Sequence, residues 1–123
     1  MKRVLVIEDN ENNMELITFI LETHGCEVLK AVCGRAGVEA ALRDRPDFIV
    51  LDIQLPDIMG IEVLQRIRAA EAGRDIPIIA MTSYAMAGDE QRLLAAGCNG
   101  YVEKPIDPER VIGQIIRIVG ELS

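Results

Sequence analysis

A chain of 123 residues, half of them apolar, can bury one core without disulfide or metal staples and is too short for two. A formal charge of −7, no Lys/Arg run and 3% aromatics exclude a nucleic-acid-binding surface. An odd cysteine count without Cys-x-x-Cys spacing excludes a disulfide framework, and no apolar stretch reaches the ~20 residues of a membrane span.

Met1-Lys2-Arg3 followed by Val4-Leu5-Val6-Ile7 begins like a secretory signal, but Glu8-Asp9 ends the apolar stretch too early for one. A cytoplasmic protein is expected, with Cys26, Cys33 and Cys98 acting as small hydrophobes in a reducing compartment. Val4 to Ile7 reads as a buried strand. Asn10 to Asn13 then offers capping side chains, and Met14, Ile17, Ile20 and Leu21 recur at helical spacing up to Gly25. His24, the lone histidine, ends that helix, where a cation complements the dipole. Cys26 to Leu29 is a short strand. Ala36, Val38, Ala41 and Leu42 mark an amphipathic helix from Gly34, closed by Pro46.

Phe48-Ile49-Val50-Leu51 lies between Pro46-Asp47 and Pro56 and is too short for a lone helix, so it reads as a strand buried on both faces, ending in Asp52. Gly60 opens a helix carrying Ile61, Val63, Leu64 and Ile67, which dies around Gly73. Ile76 to Met81 forms a fourth strand, ending in Thr82-Ser83. Gly88-Asp89 begins a helix that Gly97 stops, and Gly100-Tyr101-Val102 is a brief strand running to Glu103-Lys104-Pro105. Asp107-Pro108 is a strong start for a last helix reaching about Glu121.

Strands alternating with helices through short loops predict an α/β fold with a doubly wound five-stranded parallel sheet. Right-handed crossovers and the flavodoxin-like strand order 2-1-3-4-5 place the first and third strands together at the switch point. With no repeat, linker or segment after the last helix, residues 1–123 are expected to be a single domain without an output domain.

In this fold Glu8-Asp9, Asp52, Thr82 and Lys104 all end strands at one sheet edge, where ligands bind in open parallel sheets. Singly, Asp9 serves equally as a helix cap and Thr82 as a turn residue; together they are hard to explain as packing. Three crowded carboxylates oppose joint ionisation, so a proton is shared or a cation binds. Oxygen ligands with no His or Cys nearby suit a hard ion, Mg²⁺ first and Mn²⁺ as the alternative. A phosphoryl group uses every part: the metal and Lys104 neutralise its oxygens, Thr82 donates to it, and Asp52 attacks phosphorus.

The motifs Glu8-Asp9-Asn10, Asp52 with Pro56 and Gly60, Thr82-Ser83, and Tyr101 followed by Lys104-Pro105 resemble those of bacterial response-regulator receiver domains, and the resemblance runs end to end. It implies that Asp52 accepts phosphate from a phosphohistidine on a histidine kinase or histidine phosphotransfer protein. It implies Mg²⁺ at Asp9, Asp52 and the Gln54 backbone carbonyl, with Glu8 contacting it through water. It also implies a Lys104 contact to the phosphoryl group, a cis Lys104–Pro105 bond, and a switch in which Thr82 and Tyr101 move. The output face is then the fourth helix, fifth strand and fifth helix, read by a downstream protein.

Two departures carry expectations. Met59 stands where the family places a small polar residue, so the third helix loses a cap worth ~1 kcal/mol, and Met59 offers an apolar contact instead. Gln54 and Tyr84 flank the phosphoryl group in such domains, and the bulk of Tyr84 predicts a long-lived phosphoryl group. In the last helix Val111, Ile112, Ile115, Ile116, Ile118, Val119 and Leu122 cover an arc of roughly 160° at ~100° per residue, more than a core stripe needs. The surplus at Ile112 and Ile116, together with Met14, is expected to form an interaction surface on a monomer or weak dimer. The reading is a switch without an outside substrate, catalysing only its own phosphorylation and dephosphorylation. The alternatives are a Mg²⁺-dependent aspartyl phosphatase, for which Gln54 stands where a general acid is needed, and a docking module that is never phosphorylated.

Overall fold

The computed structural model describes residues 1–83 and 87–122, with the backbone alone at 87–89. The elements, in chain order, are β1 (Arg3–Ile7), α1 (Glu11–Thr23), β2 (Glu27–Ala31), α2 (Gly34–Asp44), β3 (Phe48–Asp52), α3 (Gly60–Ala69), a 3-10 turn (Glu71–Gly73), β4 (Ile78–Thr82), α4 (Ala87–Ala96), β5 (Gly100–Glu103) and α5 (Val111–Val119). All strand pairs are parallel, in the order β2-β1-β3-β4-β5.

The period of two along each strand divides the core between the two sheet faces. Leu5, Ile7, Ile49, Leu51 and Ala80 pack with Ala41 of α2, Val63, Leu64 and Ile67 of α3, and Leu93 of α4. Val4, Val6, Val50, Ile79 and Met81 pack against Met14, Ile17 and Leu21 of α1 and Val111 and Ile115 of α5. Helices on both faces are why the strands read as unbroken apolar runs rather than as alternating ones.

The boundaries shift for identifiable reasons. β4 starts at Ile78, because Pro77 has no N–H to donate; its carbonyl accepts from Ile49 N at 2.9 Å. β2 runs on to Ala31, whose carbonyl accepts from Glu8 N at 3.0 Å. α5 begins at Val111, one turn after Asp107, whose Oδ1 accepts from Glu109 N at 3.0 Å and whose carbonyl accepts from Val111 N at 2.9 Å. That helix ends at Val119 because Gly120 turns to a φ of 85°. Asn10 caps α1 by accepting from Asn13 N at 3.0 Å. Cys26 and Cys98 are buried, Cys33 is half-buried, and all three are free thiols. Among the described residues no helix is long and apolar enough to cross a membrane.

The expected interaction surface needs correction. Met14 is buried, because it shares the inner stripe of α1 with Ile17 and Leu21. Ile112 is half-buried against the α1–α5 core, and Ile116 is the exposed one of the pair, at 39%.

Candidate functional site

The strand register carries the reactive residues to one edge. Leu51 of β3 sits opposite Ile7 of β1, so Glu8 and Asp52 follow in step on adjacent strands. Asp52 pairs with Met81 and Thr82 with Glu103, which brings Lys104 alongside. Lys104 N donates to the Thr82 carbonyl at 2.8 Å, and the next peptide bond, Lys104–Pro105, is cis.

Glu8, Asp52 and Thr82 are buried, an uncommon place for such groups without partners. The Lys104 ammonium lies 3.0 Å from Asp52 Oδ2 and 3.2 Å from Glu8 Oε1. Asp52 Oδ1 accepts from Gln54 N at 3.0 Å, and Glu8 Oε2 accepts a long bond from Asn10 N at 3.4 Å. Glu8 Oε1 lies within ion-pair range of Lys104, yet among the described residues no donor is aimed along a hydrogen-bonding direction. One oxygen each of Glu8, Asp9 and Asp52 lies within 4.8 Å of the others, with Asp9 alone exposed.

Charge is badly balanced in this cup. Burial, and then the hydrogen bond and charge of Asp52, push Glu8 up to about 7, against the pull of Lys104. Burial alone would lower the Lys104 ammonium, but Asp52 and Glu8 outweigh it and raise it above its ordinary value. Three carboxylates against one ammonium, with a buried carboxylate oxygen lacking an aligned donor, fit a divalent cation held by oxygen.

The other expected residues lie around this centre. Gln54 is exposed at the start of the β3–α3 loop. Tyr101 is half-buried on β5; its hydroxyl hydrogen-bonds the Glu90 carboxylate of α4, which, with burial, raises the phenol's pKa. Tyr84 lies outside the described residues. Met59 makes no side-chain cap for α3; it is 58% exposed and lines a groove of about 220 Å³ with Ile53, Gln54, Ile61, Thr82 and Leu93. Ile112 and Ile116 stand on α5, whereas Met14 of α1 lines a cleft together with Glu8 and Asp9. Sequence reasoning missed two contacts. Glu8 meets Lys104 directly, and Asp57, which the sequence reading does not single out, accepts from the backbone of α2. The first follows from register, which composition does not show. The second had a signal in the absence of Ser, Thr, Asp or Asn before Gly34.

The response regulator receiver domain profile matches residues 4–116. The chain is 40% identical over 120 residues to the polar-differentiation response regulator DivK of Brucella ovis, covering 98% of each protein. Among solved structures it is similar to the chemotaxis protein CheY4 of Vibrio cholerae, with a TM-score of 0.90 and 27% identity over 96% of this chain and 98% of that one. It is also similar to the receiver domain of the sensor histidine kinase PA1611 of Pseudomonas aeruginosa, with a TM-score of 0.88 and 36% identity over 97% of this chain and 98% of that one. That receiver domain was solved with a magnesium ion coordinated in its active-site cleft.

Proposed function

The chain belongs to the response regulator receiver domain family, and from that membership we propose that Asp52 is the phosphoryl acceptor of a phosphorylation-controlled interaction switch. The observation that carries this is the burial of Asp52 at a strand end with the Lys104 ammonium at 3.0 Å. The donor is a phosphohistidine on a sensor histidine kinase or histidine phosphotransfer protein. A carboxylate oxygen of Asp52 forms a bond to phosphorus, the phosphorus–nitrogen bond breaks, and the imidazole leaves. The only chemistry is this self-phosphorylation and the later hydrolysis, so the protein has no outside substrate.

Asp9, Asp52 and the Gln54 backbone carbonyl would hold Mg²⁺, with Glu8 reaching it through water; the crowded carboxylates and the ill-aimed Glu8 oxygen support this. The ion, or Mn²⁺ in its place, would supply positive charge to the phosphoryl oxygens. Lys104 donates to one of those oxygens and the Thr82 hydroxyl to another, neutralising charge that builds during transfer. Gln54 flanks the group and limits the approach of water, and the bulk of Tyr84, two residues after Thr82 in the chain, lengthens the life of the phosphoryl group.

The switch follows from competition for donors. Drawing Thr82 toward the phosphoryl group frees space beneath it, and Tyr101 exchanges its Glu90 contact for that space. The face made by α4, β5 and α5 then changes for a downstream protein, with exposed Ile116 in reach of it. The protein works in the cytoplasm, monomeric or weakly dimeric. Backbone NMR with beryllium fluoride and Mg²⁺ tests the reading. Amide shifts should spread from Asp52 through Thr82 to Tyr101 and α5, and vanish in Asp52→Asn. Shifts confined to the loops around Asp52 would remove the switch and leave only an anion site.

A further inference from the structure

Helix α2 begins without a cap of its own. Its N-cap is Cys33, which makes no side-chain cap hydrogen bond among the described residues, and its first turn holds no acid. The missing acceptor comes from another element. Asp57 Oδ1 accepts from Gly34 N at 2.7 Å, and Oδ2 accepts from Arg35 N at 2.9 Å. Both oxygens are used, at charge-assisted lengths, at the positive end of the helix dipole. These bonds hold the Asp57 carboxyl far below the usual carboxylate range, so it is ionised at any working pH.

Asp57 sits midway along the loop between β3 and α3, the loop that begins directly after Asp52. The two ends of that loop are pinned separately: Ile53 N donates to the Met81 carbonyl at 3.1 Å, and Gly60 N donates to the Ile53 carbonyl at 2.9 Å. Between those pins lies Gln54, whose N–H holds Asp52 Oδ1. The loop is also seated sterically. A Cβ on Gly34 would stand 2.4 Å from Ile58 Cγ1 and 3.2 Å from Asp57 Oδ1, so glycine is what lets the loop lie on the α2 terminus.

We propose that Asp57 is a positioning residue, whose clamp on the α2 N-terminus fixes the β3–α3 loop and thereby the Gln54 backbone that completes the metal cup. This rests on the Mg²⁺ site proposed above. With the clamp released, the stretch from Gln54 to Met59 keeps its end pins but loses its hold in the middle. The Gln54 carbonyl then samples orientations turned away from the carboxylates, and the cost falls on metal affinity rather than on the fold alone.

The test measures Mg²⁺ affinity by titration calorimetry, together with amide hydrogen exchange at Gly34 and Arg35, in the full chain. Asp57→Ala should weaken Mg²⁺ binding by about tenfold, the low end for residues supporting a ligand from behind. Asp57→Asn keeps one acceptor oxygen and should fall between it and wild type. Gly34→Ala, which leaves the carboxylate intact but displaces the loop, should weaken binding in the same direction. Faster exchange at Gly34 and Arg35 with unchanged Mg²⁺ affinity in Asp57→Ala makes Asp57 a helix cap only and overturns the inference. If Asp57→Ala does not fold, Asp57→Asn decides it by the same criterion. Wild-type protein that takes up no Mg²⁺ sinks the metal site itself, and this inference with it.

Discussion

Replacing Glu8 by Gln should stabilise the metal-free protein at alkaline pH and do nothing for it at acid pH. Glu8 is fully buried beside Asp52, and its carboxyl is raised from 4.5 to about 7. The folded state therefore binds this proton more tightly than the unfolded state does. The associated stability is fully present below the unfolded value of 4.5 and is lost as pH rises through about 7. Each pKa unit corresponds to ~1.4 kcal/mol, so the shift sets a ceiling of about 3 kcal/mol on the penalty of an ionised Glu8 at pH 8. A glutamine carries no charge at either pH. In EDTA, Glu8→Gln should match wild type near pH 4, below the unfolded value, and exceed it near pH 8 by ~1–3 kcal/mol, bounded by that ceiling. With no Trp in the chain, urea unfolding is best followed by far-UV circular dichroism. Saturating Mg²⁺ should close the gap by stabilising wild type more than the variant. A variant no more stable than wild type at pH 8 in EDTA would show that Glu8 ionises without penalty, and the account of crowded carboxylates would be wrong.

Other outcomes follow from particular contacts. Arg68 donates to the carbonyls of Gly97 at 2.9 Å and Gly73 at 2.7 Å and to Asn99 Oδ1 at 2.9 Å, stapling α3 to the chain on either side of β4. Arg68→Ala should cost ~2 kcal/mol in urea unfolding and leave Mg²⁺ affinity unchanged. Ile115→Ala should cost ~3 kcal/mol, while Ile116→Glu, one residue on at an exposed position, should stay within ~0.5 kcal/mol and act instead on association, read by sedimentation. Tyr84→Ala should lose its phosphoryl group faster than wild type, measured by decay of the phosphorylated protein after the donor is removed.

What the chain disclosed in advance was whatever depends on local pattern. The bounded run Phe48 to Leu51 could only be a strand buried on both faces, and its length put Asp52 at the edge, where it stands at 2% exposure. Alternation gave the parallel sheet, and the strand order came from the flavodoxin-like pattern, one of the few that right-handed crossovers leave. Less visible was whatever depends on which face a residue takes. Met14, expected on the interaction surface, belongs by its spacing to the stripe of Ile17 and Leu21 and is buried against the sheet with them. Ile112 and Ile116 share an arc, and only packing against α1 and β5 decides that the first is half-buried. Contacts between elements distant in the chain, such as Asp57 with α2 or Tyr101 with Glu90, leave no periodic trace, because they arise from the approach of two loops or layers.

The most direct test of the central claim is intact-mass spectrometry after incubation with phosphoramidate and Mg²⁺. Wild type should gain the mass of one phosphoryl group, labile to base, and fragmentation should place it on Asp52. Asp52→Asn and the EDTA control should gain nothing. No added mass on wild type, or the same mass on Asp52→Asn, would contradict the assignment of that buried carboxylate as the phosphoryl acceptor.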